Sequence, residues 1–255
     1  MSHYFFYSFI GLLVYMSSLF LVSVITKKNS IADVGYGIGF IVVALISLFQ
    51  NNALTYQIVM TLLVLQWGLR LALRIGSRNL NKPEDFRYAE YRKKWKFFYL
   101  RSYFQIFIFQ GIIIYIISLP VILSDVYPKK ANLAIFLIGL VLWIVGYIFE
   151  ALGDYQLDTF LRLKHKPSKY MSKGLWSITR HPNYFGEATM WFGIFIISLS
   201  LSQYGIYTII SPILITFLLT KVSGIPMVEK RWKDDPEWKK YAAKTPAFIP
   251  RLTKK

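Results

Sequence analysis

Long apolar blocks, rather than short alternations, set the pattern of this chain. Runs of roughly 16 to 22 residues with almost no charge recur as far as about residue 222, separated by basic connectors. A water-soluble domain of this length would space its apolar residues at helix or strand period, with polar residues between. A helix rises about 1.5 Å per residue, so about 20 apolar residues cross a hydrocarbon layer of about 30 Å. The blocks predict spans at 4–25, 34–49, 54–75, 103–123, 132–152, 187–201 and 204–222. The first lacks a basic start and a small-residue cleavage site, so it reads as a helix and not a leader. The second and sixth are short, which implies tilt or burial within the bundle. No repeat or low-complexity segment interrupts the pattern. The expectation is one domain over 1–255, an all-α integral membrane protein built as a seven-transmembrane-helix bundle.

Charge turns this span list into a topology. With the N-terminus outside, the segments 26–33, 76–102, 153–186 and 221–255 lie inside and hold 26 Lys and Arg. The outside segments hold two, Lys129 and Lys130. One missed span would flip every later connector, so this asymmetry supports an odd span number with the C-terminus cytoplasmic. Any functional site is then expected on the cytoplasmic face, where the long loops and the tail converge.

Composition narrows the chemistry. The net charge of +17 and hydrophobic share of 55% fit basic loops beside anionic lipid or a phosphate-rich cofactor, and not nucleic acid. There are no cysteines, which excludes disulfides, thiolate metal sites and cysteine nucleophiles. His3, His165 and His181 are too few and too scattered for a metal centre. The absence of cysteine and of an ER-retrieval tail fits a bacterial inner membrane.

Two ladders of charge stand at helical spacing. Arg70, Arg74 and Arg78 recur every fourth residue of the third span, and so lie along one helix face. Arginine at membrane depth requires a cavity or a partner, and its planar fork suits phosphate. Snorkelling to the interface explains Arg78 better than it explains Arg70. Glu150, Asp154, Asp158 and Arg162 form a second ladder at the end of the fifth span. It serves either to pair with the arginines or to meet a ligand. The segment from Asn81 to Trp95 is an amphipathic surface stretch in which Asp85, Arg87 and Tyr88 are weaker candidates. Lys221, at the end of the last span, suits either a phosphate contact or snorkelling. Glu229, Trp232 and Tyr241 in the basic tail either help to close a pocket or lie on headgroups.

The most informative stretch is Gly174-Leu-Trp-Ser-Ile-Thr-Arg-His-Pro-Asn-Tyr-Phe-Gly-Glu187. A polar run ends in Pro182-Asn183 and turns directly into an apolar span, which puts Asn183 at or near a helix N-terminus. Free backbone N–H groups and the positive dipole end make such a terminus a site for an anionic or carboxamide group. Glu187 follows four residues on, one position late for a capping box.

Arg180 to Glu187, preceded by Gly174-Leu-Trp, resembles the C-terminal domain of steroid 5-alpha-reductases and, more closely, their bacterial relatives of uncharacterised activity. The resemblance extends to Ser30-Ile-Ala-Asp33, Arg70 through Arg78, Glu84 to Tyr88, the Glu150/Asp154/Gln156 stretch and Pro246 to Pro250. It covers most of the chain from residue 30, and the C-terminal region from about 100 corresponds to that domain. It implies NADPH held within the bundle near the cytoplasmic side, and hydride delivery to the β-carbon of a lipid-like enone that enters from the bilayer. Residues Asn183, Tyr184 and Glu187 would meet the nicotinamide end. Arg70, Arg74 and Arg78, with Asp154, Arg180, His181 and Lys221, would hold the rest of the cofactor. Enolate stabilisation and proton delivery need a positioned donor and acid. Trp67 stands where the steroid enzymes carry a tyrosine, and Asp33 is the nearest candidate for its partner carboxyl. The cofactor half therefore matches better than the substrate half.

The same motif also resembles membrane methyltransferases that act on prenylated cysteine or phospholipid and use S-adenosylmethionine. Glu229, Tyr241 and Ile249-Pro250 fit their pattern. A non-enzymatic lipid-binding protein is the third expectation.

Overall fold

The computed structural model describes residues 2–50, 55–79, 82–165 and 168–251. Leu54 and Asn81, which bounded two of the predicted segments, lie outside the described residues. Seven helices among them are long and apolar enough to cross a membrane, as expected for an integral membrane protein. The contacts divide the chain into two compact units, residues 1–131 with 198–208, and residues 132–197 with 209–255.

The first unit opens with α1 (Ser2–Thr26), α2 (Ile31–Phe49) and α3 (Thr55–Asn79). A short α4 (Phe86–Lys94) and α5 (Phe98–Ser102) follow. A π-helical turn at Tyr103–Ile108 carries α5 into α6 (Phe109–Ile117). The chain then breaks at Ser118, ahead of Pro120, and resumes as α7 (Leu119–Val126). The predicted span 103–123 is therefore shifted: its helix runs from Phe98 to Ile117.

In this unit α2 packs against α3 with almost no side chain between. A Cβ on Gly37 would stand 2.4 Å from the Gly68 carbonyl oxygen. Lipid offers no hydrophobic gain for joining two apolar helices, so close backbone approach at small residues supplies the attraction. Polar bonds fix the end where α2 begins. Glu84 accepts from the Asn29 amide at 2.8 Å and from Arg92 Nε at 3.2 Å, and Asn29 Nδ2 donates to Ser102 Oγ at 2.9 Å. These bonds hold α4 against the α1–α2 turn.

The second unit contains α8 (Leu133–Arg162) and most of α9 (Pro182–Leu201). After a 3-10 turn at Gly205–Ile209 come α10 (Ile210–Phe217), a π-helical turn at Leu218–Val222, α11 (Ile225–Glu229) and α12 (Pro236–Lys244). The 30 residues of α8 amount to about 45 Å of helix. That exceeds a hydrocarbon layer by about ten residues, and the end carrying Asp154, Asp158 and Arg162 is the polar one. α9 starts at Pro182, beside Asn183 where the sequence placed a helix N-terminus and five residues ahead of the apolar span, because Pro is favoured at a first helical position.

Candidate functional site

The buried face of α8 repeats at intervals of three and four: Phe136, Gly139, Trp143, Gly146, Glu150 and Gly153. Three of these are glycines seven apart, and each meets α9. A Cβ on Gly139 would stand 2.8 Å from the Gly193 carbonyl oxygen; one on Gly146 would stand 2.6 Å from that of Gly186; one on Gly153 would stand 3.2 Å from the Asn183 nitrogen. The two helices run backbone to backbone and antiparallel. A carboxylate, that of Glu150, occupies a core position of the same stripe. It is 2% exposed, Asp154 is 3% and Glu187 is 8%. Burying carboxylates costs several kcal/mol each unless the surroundings compensate, so three beside one helix terminus mark a specialised site.

Gly186 is the pivot of this arrangement. A Cβ there would stand 2.4 Å from the Glu150 backbone nitrogen, so only glycine admits α8 this close. Glu187 follows Gly186 in the chain, and Asn183 lies one turn earlier. The Asn183 Oδ1 atom is buried and has no hydrogen-bond partner in the protein. Tyr184 is half-buried, its ring stacked on His181 at 5.3 Å between centroids.

The loop before α9 is fastened on both sides. Gly174 takes φ +61°, and a Cβ on it would strike the Gln156 amide at 2.6 Å; glycine alone meets both conditions. Gln156 Oε1 accepts from the Leu175 amide at 3.0 Å, and Trp176 Nε1 donates to the Gly153 carbonyl at 3.0 Å. On the other side the tail lies along the loop. Arg180 N donates to Pro246 O at 2.9 Å, Arg251 N to Ile178 O at 2.9 Å and Thr179 Oγ1 to Phe248 O at 2.8 Å.

Arg180 itself serves this fastening. Its Nε and Nη2 donate to Glu229 at 2.8 and 3.1 Å, and its Nη1 donates to the Ala242 carbonyl at 3.0 Å and to that of Thr245. His181 Nε2 lies 2.9 Å from Glu229 Oε1, with the ring 2% exposed. Both residues were expected at the cofactor, and both contact Glu229, which the sequence marked as a tail residue that either helps to close a pocket or lies on headgroups. Lys221 is exposed within a π-helical turn.

The remaining candidates belong to the first unit. Arg70 and Arg74 are half-buried on α3 and Arg78 is exposed. Trp67 is 2% exposed, with its ring 5.2 Å from that of Phe40. Asp33 accepts from Tyr88 Oη at 2.8 Å and from Arg87 Nη2 at 2.9 Å. Burial pushes the Tyr88 hydroxyl pKa up, and the neighbouring Asp33 carboxylate pushes it further. A carboxylate–tyrosine pair thus joins α2 to α4. The sequence marked Asp33 as a candidate carboxyl and Tyr88 as a weaker candidate, but not that the two meet.

A family model described as "Protein of unknown function (DUF1295)" matches residues 19–245. No curated protein and no solved structure matches the chain.

Proposed function

We propose that this chain, which belongs to the DUF1295 family, is an NADPH-dependent reductase of a carbon–carbon double bond in a lipid-like enone. The carrying observation is the buried, unpartnered Oδ1 of Asn183 in the first turn of a 20-residue helix, one turn before Glu187. A primary carboxamide such as that of nicotinamide supplies the N–H donors that such an oxygen requires. The helix terminus and its free N–H groups favour a polar ligand at the same place. Asn183, Tyr184 and Glu187 would hold the nicotinamide end beside Asp154. Arg70, Arg74 and Arg78 would supply planar guanidinium groups suited to its phosphates, and Lys221 is an exposed cation. When bound, the cofactor supplies a hydride to the enone β-carbon. Among the chain's own residues, Tyr88 held on Asp33 is a hydroxyl donor suited to an enolate oxygen. The lipophilic substrate would come from the bilayer, with the site facing the cytoplasm of a bacterial inner membrane.

One observation favours a second reading, a methyltransferase using S-adenosylmethionine. Arg180 and His181, the basic residues beside α9, are engaged by Glu229 and not offered to a phosphate, a group that S-adenosylmethionine lacks.

The deciding experiment is the thermal midpoint of detergent-purified protein with NADPH, NADH or S-adenosylmethionine added separately. Saturation to 100 times Kd adds about 2.7 kcal/mol. A rise with NADPH that Asn183→Ala and Glu187→Gln both reduce, in variants with unchanged helix content, supports the reductase. A rise with S-adenosylmethionine alone overturns it in favour of the second reading. Silence from all three leaves lipid binding without catalysis.

A further inference from the structure

The first unit contains a second polar cluster, at the end where α2 finishes and α3 begins, away from Asp33. Each of three helices packed on one another contributes oxygen to it. α3 brings Gln57, 3% exposed, and Thr61, 2% exposed and one turn further on the same face. α2 brings Ser47, fully buried, and α7 brings Asp125, 2% exposed. Gln57 Nε2 donates to the Ser124 carbonyl at 3.2 Å, which sets the Gln57 side chain against the residue before Asp125. The Ser47 hydroxyl stands at the Asp125 carboxyl, whose pKa burial pushes up to about 6. The Gln57 Oε1 and Thr61 Oγ1 atoms are buried without a hydrogen-bond partner in the protein.

A buried oxygen left without a partner costs about 1–3 kcal/mol. Two such atoms beside a buried carboxylate form a set that one species can satisfy together. Every donor atom here is oxygen, with no imidazole or thiolate, which selects a hard cation. A single carboxylate sets the charge at one.

We propose that Ser47, Gln57, Thr61 and Asp125 bind one alkali-metal cation, Na+ or K+. Access runs along a recess of about 430 Å³ lined by Thr55, Tyr56, Gln57 and Leu201, with Lys129 and Lys130. Those two lysines are exposed, where salt screens their repulsion over about 8–10 Å. The site is independent of the reaction proposed above.

The test is the thermal midpoint of the full-length protein, purified in choline chloride and titrated with NaCl or KCl at constant ionic strength. A saturable rise with one alkali salt is expected, on the order of 5–10 °C at a hundredfold excess over Kd. Asp125→Asn and the isosteric Thr61→Val should each weaken the apparent affinity at least about tenfold; Thr61→Val stands in if Asp125→Asn fails to fold. Equal midpoints in choline, sodium and potassium, which ordered water on the same oxygens would give, overturn the proposal. So does an alkali response that Thr61→Val leaves unchanged.

Discussion

Arg180 grips Glu229 with two nitrogens, Nε to Oε1 at 2.8 Å and Nη2 to Oε2 at 3.1 Å, across 49 residues of chain. The pair is partly shielded, with side chains 11% and 22% exposed. Truncating Glu229 to alanine strands the guanidinium and takes away the partner of His181 Nε2. The expected loss is about 1–3 kcal/mol, read as a lower thermal midpoint in detergent. Glu229→Gln keeps one acceptor and should fall between.

Gly186 offers a sharper structural test. A methyl group there would meet the Glu150 backbone nitrogen at 2.4 Å and the Gly146 carbonyl oxygen at 2.5 Å. Backbone cannot rotate away as a side chain can, so Gly186→Ala must part α8 from α9. Overpacking of this kind costs about 1–3 kcal/mol, and here ligand binding should fail along with stability. Gly76→Ala is the control. Its Cβ would find only a Val34 methyl at 3.6 Å, and that variant should keep its midpoint.

If Arg74 meets a cofactor phosphate, Arg74→Ala should weaken NADPH, and NADH equally if the contact is to the shared pyrophosphate, but NADPH more if it is to the 2′-phosphate. A lost charge-assisted contact of about 1.5–3 kcal/mol corresponds to about 10- to 100-fold in Kd. Titration of both nucleotides into wild type and variant checks it; wild-type affinity for both would remove the arginine ladder from the phosphates.

Asp85 carries a pH dependence. Its carboxylate caps α4, accepting from the Arg87 amide at 3.0 Å and from Arg87 Nε at 2.9 Å. Burial alone would raise its pKa, but the Arg87 side-chain and backbone bonds prevail and hold it below the usual range. A depressed folded pKa contributes stability above the unfolded value of about 3.9 and loses it as the pH falls through the folded one. Asp85→Asn, which keeps a capping oxygen but loses the charge paired with Arg87, should therefore be less stable than wild type at neutral pH, by about 0.2–1 kcal/mol. The gap should close below about pH 4 in a midpoint-against-pH series.

The span number and the helix start at Asn183 were legible because both follow from local rules: block length against bilayer thickness, and Pro-Asn ahead of an apolar run. The fate of Arg180 and His181 was not. A motif shows which residues cluster, but which carboxylate claims them depends on a tail 49 residues away, and that pairing leaves no periodicity to read. The Tyr88–Asp33 pair joins different elements and was hidden for the same reason. The glycines at 139, 146 and 153 form a visible heptad, yet inside an apolar block they look like any other lipid-compatible residue. Only the facing Gly186 and Gly193 show that they are a contact surface.

The strap of residues 246–251 across residues 178–180 also sets a time order. A ribosome finishes α8 and α9 well before it makes Pro246, so the loop ahead of Asn183 exits without the bonds that hold it. The loop takes its final form only once residues 246–251 have emerged. A chain broken off just before the strap would still carry α8 and α9 and lack the bonds that hold the loop between them. The order in which the chain is made is thus the reverse of the order in which this loop is secured.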